Sequence, residues 1–232
     1  MARVIVVGSI NQDVTVTVDR FPTPGETLSG SSLTYGLGGK GANQAAAAAR
    51  SGIPTLFVGA VGTDLAGHSL RTHLAAHGVD VSHLREVDSP SGTALITVAA
   101  SGENTIILDA GANRASSIAH AKASLFPAPS DIVVLQAEIP PAANAAAIEW
   151  AHSFGARVLL NLAPARATDP ATLSRVDILV VNETEAGLTL GMPAPATPTE
   201  AIGVARALRG MGPRHVVVTL GAQGAAWASG AE

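Results

Sequence analysis

Two hydrophobic periods run through this chain. Arg3–Val7, Thr55–Ala60, Ile132–Leu135, Val158–Asn161, Ile178–Val181 and His215–Leu220 are apolar, β-branched runs of the length expected for strands buried on both faces. Segments with helical spacing lie between them, near 64–77, 116–125, 141–154 and 198–210. That alternation predicts an α/β fold, with helices covering both faces of a mostly parallel sheet. Two other stretches follow period two. Val14, Val16 and Val18 alternate with polar residues, and Leu28–Leu37 is short-strand sequence after the turn Phe21-Pro22-Thr23-Pro24-Gly25. Thr93–Ala99 and Asn104–Leu108 flank the hairpin signal Ser101-Gly102-Glu103. Such one-sided strands suit a small second sheet, and Trp227 falls in a hairpin after Leu220.

Composition narrows the class. The 232 residues are 47% hydrophobic and 14% charged, enough for one large α/β domain with a sizeable core. A net charge of −4 without a basic cluster argues against a nucleic-acid surface. The absence of cysteine excludes disulfides, thiolate metal sites and cysteine nucleophiles. Met1–Ile10 lacks the length and flanks of a signal peptide or membrane span, so a soluble, cytoplasmic protein without a membrane partner is expected.

The chemistry concentrates around Gly38-Gly39-Lys40-Gly41-Ala42-Asn43, which runs into Gln44 and five alanines. Glycines let backbone approach a ligand, and unpaired N–H groups at a helix start attract polar or anionic groups. Gly36-x-Gly38-x-x-Gly41 matches the dinucleotide fingerprint only literally, lacking a clear preceding buried strand and a following acidic residue. The Walker pattern fails because Gly41 follows Lys40. A tight loop entering a closely packed small-residue helix stays open as the plain reading. Other polar residues follow predicted strands: Asn11 and Asp13, Glu138, Asn161, Asn182, and Thr219 with Gly221. Ligands in such sheets sit beyond the carboxyl ends of the strands. Asn182 with Glu185 also reads as a capping box, Asp64 as an N-cap, and His73 with His77 as surface helix residues.

Taken together, these motifs resemble the ribokinase-like (phosphofructokinase B-type) carbohydrate kinases. Gly8-Ser9-Ile10-Asn11-Gln12-Asp13 is similar to the family's opening strand, and Pro22–Thr27 and Gly38–Ala45 to its first signature region. Asn161-Leu162-Ala163-Pro164-Ala165-Arg166 resembles its Asn-Pro-Ala-Pro-Ala-Arg, with Leu162 in place of a proline. Asn182–Ala186 and Thr219–Gly224 resemble its nucleotide-side motifs. The resemblance implies a three-layer fold with a small β lid from about 14–37 and 93–109. It also implies ATP-dependent phosphorylation of D-ribose at the primary 5-hydroxyl. Sugar contacts are then expected from Asn11, Asp13, Gly38, Gly39, Lys40, Asn43 and Glu138, with Ala94, Ile96 and Leu108 as apolar lid contacts. ATP is expected against Asn182, Glu185, Thr219, Gly221 and Gly224, with Glu185 in the water network of Mg2+. A monovalent cation such as K+ and a homodimer through the lid complete the expectation. A kinase for fructose, a deoxypentose or a nucleoside shares these motifs, although aromatic residues to stack on a base are only 3%.

One family element is absent from 1–232. A Gly-Ala-Gly-Asp signature, whose aspartate is the family's general base and whose helix start forms its anion hole, does not occur here. The resemblance places that aspartate beyond Glu232, the last residue, so no catalytic residue is expected within the chain. It therefore implies a fold incomplete at its C-terminal end. It also implies a 232-residue chain that is inactive or nearly so, a sugar-binding remnant in the limit.

Overall fold

The computed structural model describes residues 2–166 and 168–230, folded around two sheets. Glu232, the point beyond which the family resemblance places a general base, lies outside the described residues. The strands are β1 (Val4–Val7), β2 (Asn11–Val18), β3 (Ser32–Gly38), β4 (Thr55–Gly62), β5 (Val79–Val87) and β6 (Gly92–Ala99). They continue as β7 (Asn104–Asp109), β8 (Ile132–Gln136), β9 (Arg157–Asn161), β10 (Ile178–Asn182), β11 (His215–Thr219) and β12 (Ala225–Ser229). The helices are α1 (Lys40–Arg50), α2 (Leu65–Ala76), α3 (Pro141–Ser153), α4 (Pro170–Leu173), α5 (Glu183–Leu190) and α6 (Pro198–Arg209).

The large sheet has the order β12-β11-β10-β9-β8-β1-β4-β5 and is parallel except for the β11–β12 hairpin. Alternating side chains of its strands feed two cores. Ile5, Val7, Val133, Leu135, Val158, Leu160, Leu179 and Val181 face α3, α5 and α6. Val6, Phe57 and Val61 face Ala42, Ala45 and Ala46 of α1 and Leu70 and Leu74 of α2. The alanines that favour a helix also allow α1 to lie close against the sheet. Beyond β8 this second face carries no helix among the described residues. There Leu159, Ile178, Val180 and Val217 are half-buried, and Trp227 is exposed and stacked on His215, ring centroids 6.2 Å apart.

Three local readings differ from the pattern. Residues 119–124 form consecutive turns in place of the helix expected over 116–125, although Ile118, Ala121 and Leu125 pack into the larger core as a helical face would. The segment has Pro127 and Pro129 close behind it, leaving no continuation for a regular helix. The strand expected over Leu28–Leu37 begins only at Ser32, because 19–31 is held by a polar loop in which Arg20 pairs with Glu26 at 2.5 Å. Edge strand β5 has a mostly polar alternation and was not anticipated.

The small sheet has the order β3-β2-β6-β7. It leaves the large sheet at Ile10 and Ser91 and rejoins it at Gly39 and Gly111. Asp64 N-caps α2 through the Gly67 N–H at 2.8 Å, and also accepts from the Ser91 N–H and hydroxyl, tying the start of β6 to the large sheet. Those bonds outweigh the effect of burial and hold its carboxyl below the usual range.

Candidate active site

Register in the small sheet decides which side chains share a face. Asp13 pairs with Gly36 on one side and Ala94 on the other, and Ala94 pairs with Leu108. Asn11 pairs with Gly38 and Gly92, two residues along on the same face, and Ile96 lies two residues beyond Ala94. Asn11, Asp13, Ala94, Ile96 and Leu108 therefore occupy one face of three adjacent strands, β2, β6 and β7. The glycines opposite Asn11 and Asp13 leave that row open.

The row runs directly into α1. Gly38 ends β3, Gly39 turns with φ 88°, and Lys40 begins the helix. A side chain at Gly38 would overlap the Asp13 carboxylate, so the strand passes against Asp13 without a Cβ. The first N–H groups of α1 are not left open, contrary to the expectation from the glycine loop. Lys40 N–H donates to Glu138 Oε2 at 2.9 Å, Gly41 N–H to Ser9 Oγ at 3.2 Å, and Ala42 N–H to Ser9 O at 2.9 Å. Ser9 Oγ in turn donates to Glu138 Oε2 at 2.6 Å. A carboxylate at a helix N-terminus is stabilised by the unpaired N–H groups there, and one oxygen of Glu138 is thereby fixed.

Burial, and then repulsion from Glu138, raises the Asp13 pKa above the usual carboxylate value. The Glu138 carboxylate thus disfavours charge on Asp13 across the row. Lys40 is half-buried beside them, and Asn43 is exposed one turn into α1. The site combines acceptor-only carboxylates with amide and ammonium donors, a set suited to a neutral polyhydroxyl compound. Ser9 and Asn113 were missed by sequence reasoning, although both are polar residues set among buried ones. Asn113 is bonded to Ile10 and Asn11 from a 3-10 turn, Gly111–Ala115, that no periodicity reveals.

Residues 1–232 match the pfkB family carbohydrate kinase profile along their whole length. The chain belongs to the pfkB family of carbohydrate kinases. It is similar to the ribokinase of Haemophilus influenzae, 38% identical over 221 residues that cover 94% of this chain and 72% of that protein. It is also similar to a deoxyribokinase of Salmonella typhi, 35% identical over 238 residues, covering 97% of this chain and 74% of that one. Among solved structures, the ribokinase of Arabidopsis thaliana complexed with ribose and ATP superposes with a TM-score of 0.85 at 32% identity, covering 100% of this chain and 76% of that one. This pfkB-family protein is accordingly a sugar kinase with the mixed α/β fold of ribokinase structures.

The kinase's remaining motif residues line the carboxyl edge of β9 to β11. Asn161 accepts from Gln44 of α1 at 3.4 Å and donates to Val180 O at 3.1 Å, joining the helix of the first site to β10. Asn182 pairs in register with Thr219. Asn182 Oδ1 accepts from Glu185 N–H, and Glu185 Oε2 from Asn182 N–H, each at 2.8 Å, so the capping box is formed. Gly221 and Gly224, both at positive φ, shape the exposed turn from β11 to β12. Leu162 stands where the family motif has proline, and it donates its N–H to Val180 O at 3.0 Å while filling the larger core. Among the described residues no cluster of three or more His, Cys, Asp or Glu is placed to hold a metal. No described helix is long and apolar enough to cross a membrane.

Proposed function

We propose that this kinase transfers the γ-phosphoryl group of ATP to the primary 5-hydroxyl of D-ribose. The observation that carries the reading is the single row of Asn11, Asp13, Ala94, Ile96 and Leu108 abutting the start of α1 and Glu138. Asp13 is suited to accept hydrogen bonds from two neighbouring hydroxyls, and the second oxygen of Glu138 from a third. Asn11, Asn43 and Lys40 supply the donors that the same hydroxyls need as acceptors. Gly38 and Gly39 let the backbone close on the sugar. Ala94, Ile96 and Leu108 cover its apolar edge, and the small sheet acts as a lid that excludes water from the transferring group.

ATP on this reading lies along Asn182, Thr219, Gly221 and Gly224. Mg2+ would arrive on the phosphates and neutralise their charge, retaining most of its water. Glu185 fits a supporting role, because Oε2 is committed to the capping box and Oε1 remains for a magnesium-bound water. A monovalent cation is assigned to none of the described residues. The outer face of the lid, with Leu33, Tyr35, Leu95 and Ile107 exposed, suits pairing of two copies in a homodimer. A cytoplasmic setting, where ATP is available, is part of the reading.

None of the carboxylates gathered here is assigned as general base, since Asp13 and Glu138 serve the sugar's hydroxyls. Deoxyribose is the second acceptor to consider, on the likeness to the Salmonella typhi deoxyribokinase. Calorimetric titration with ribose, 2-deoxyribose, fructose and adenosine, alongside sugar-dependent ADP release, tests the assignment. Tightest binding of ribose supports it; preference for a nucleoside rejects it.

A further inference from the structure

The orientation of the Asn11 amide follows from what surrounds it. Asn113, 1% exposed, faces the backbone of Ile10 with both ends of its side chain. The Ile10 N–H can only donate, so the Asn113 atom 2.9 Å from it must be Oδ1. The other end is then the NH2 group, and it meets Ile10 O at 3.1 Å, which can only accept. The same NH2 group lies 2.7 Å from Asn11, so the Asn11 atom turned toward it must be Oδ1. The Asn11 NH2 group is left pointing away from Asn113, without a side-chain hydrogen bond among the described residues.

Gly92 adds a second, independent observation. It pairs with Asn11 in the β2–β6 ladder, and a Cβ there would overlap both Asn113 Nδ2 and Asn11 Oδ1. The ladder thus leaves room for this amide pair.

We infer that Asn113 is a positioning residue for the sugar site: it holds Asn11 with its donor toward the sugar. The inference rests on the sugar site proposed above and adds the sense of one hydrogen bond within it. Asp13 and Glu138 can only accept, so the hydroxyls facing them act as hydrogen-bond donors. A hydroxyl whose one O–H is engaged with a carboxylate can only accept from its next partner. Asn11 must therefore offer NH2. Turned over, it would place a second acceptor against an oxygen with no proton left to give.

Asn113→Asp tests this, because the isosteric carboxylate still accepts from Ile10 N–H but cannot donate to Asn11. Asn11 is then expected to turn and bond its own NH2 to the carboxylate. Ribose affinity is measured by calorimetry for the 232-residue chain in both the native and the Asn11→Ala backgrounds. With Asn11 present, Asn113→Asp is expected to weaken ribose binding about tenfold or more, as for a lost or reversed hydrogen bond. With Asn11→Ala, the same change is expected to cost less than about threefold, since coupled residues are not additive. Equal losses in both backgrounds, or none in either, would make Asn113 merely structural and overturn the inference. Gly92→Ala keeps both amides but intrudes on their contact. It is expected to give the same background-dependent loss, and it carries the test should the buried aspartate prevent folding. A native chain that binds none of the sugars rejects the sugar site itself and this inference with it; a native chain that binds ribose while both variants match it rejects only the inference.

Discussion

Gly38→Ala separates the sugar site from the fold. Gly38 has ordinary strand backbone with no positive φ, so alanine is conformationally admissible there. The three atoms nearest its Cβ all belong to the carboxylate of Asp13, the free end of a short side chain. The carboxylate is therefore what moves. If Asp13 accepts two hydroxyl hydrogen bonds in the complex, each is worth about 1.5–3 kcal/mol as a bond to a charged group. Losing both amounts to about 3–6 kcal/mol, or roughly a hundredfold to ten-thousandfold in Kd. Stability should change by less than about 1 kcal/mol, which for a chain of this size is about 2–4 °C in Tm. Gly39→Ala is the internal control. Its φ of 88° disfavours alanine, and its Cβ would lie 2.8 Å from Ile10 Cα and 2.9 Å from Asn11 N. It is expected to cost about 2–5 kcal/mol of stability from strain and overpacking. Calorimetry with ribose and thermal denaturation of both variants supply the assay. A Gly38→Ala chain that binds ribose within about threefold of the native one refutes the reasoning from Asp13.

Three further outcomes are expected. Asp13→Asn should abolish ribose binding yet raise Tm more at pH 7 than at pH 4. The folded pKa of Asp13 is raised, so its stabilising contribution is present below the unfolded value and lost as pH rises through the folded one; an equal Tm change at both pH values contradicts this. Asp131 has the opposite sign. Its side chain is fully buried, and bonds from Arg3 and the Ala128 N–H outweigh that burial and hold its pKa below the usual range. Its contribution is therefore present above the unfolded pKa and lost as pH falls through the folded one. Asp131→Ala should cost about 3–5 kcal/mol at neutral pH and flatten the acid limb of the stability profile; an unchanged acid limb counts against it. Asn182→Ala removes the α5 cap and should lower stability by about 0.5–2 kcal/mol. It should also weaken ATP binding, and a loss of stability with unaltered ATP affinity would reduce Asn182 to its capping role.

The sequence revealed the buried parallel strands almost residue for residue, because a run apolar on both faces has few other places to go. Ile178–Val181 became β10 with one residue added, and Thr55–Ala60 became β4 with two. Helix 64–77 was equally plain from its N-cap, Asp64. Residues 116–125 misled because their apolar spacing is real and serves the core, while the backbone supporting it is a set of turns. Edge strand β5 was hidden by its polar alternation, since one ladder and partial burial suffice to hold it. At the site, residue types and local motifs suggested Asn11, Asp13 and Glu138. That they meet depends on register: a one-residue slip of β6 against β2 would turn Ala94 and Ile96 to the outer face. Ser9 and Asn113 could not be read, because their work is to satisfy groups that only the fold brings near them.

The sugar site itself is most directly tested by titrating the 15N-labelled chain with D-ribose and following backbone and side-chain amide signals. Saturable shifts are expected at Asn11, Asp13, Gly38 to Asn43, Ala94, Ile96 and Glu138, with the exposed outer residues Tyr35 and Ile107 unmoved. Shifts absent from these residues, or concentrated away from the small sheet and the start of α1, would contradict the assignment.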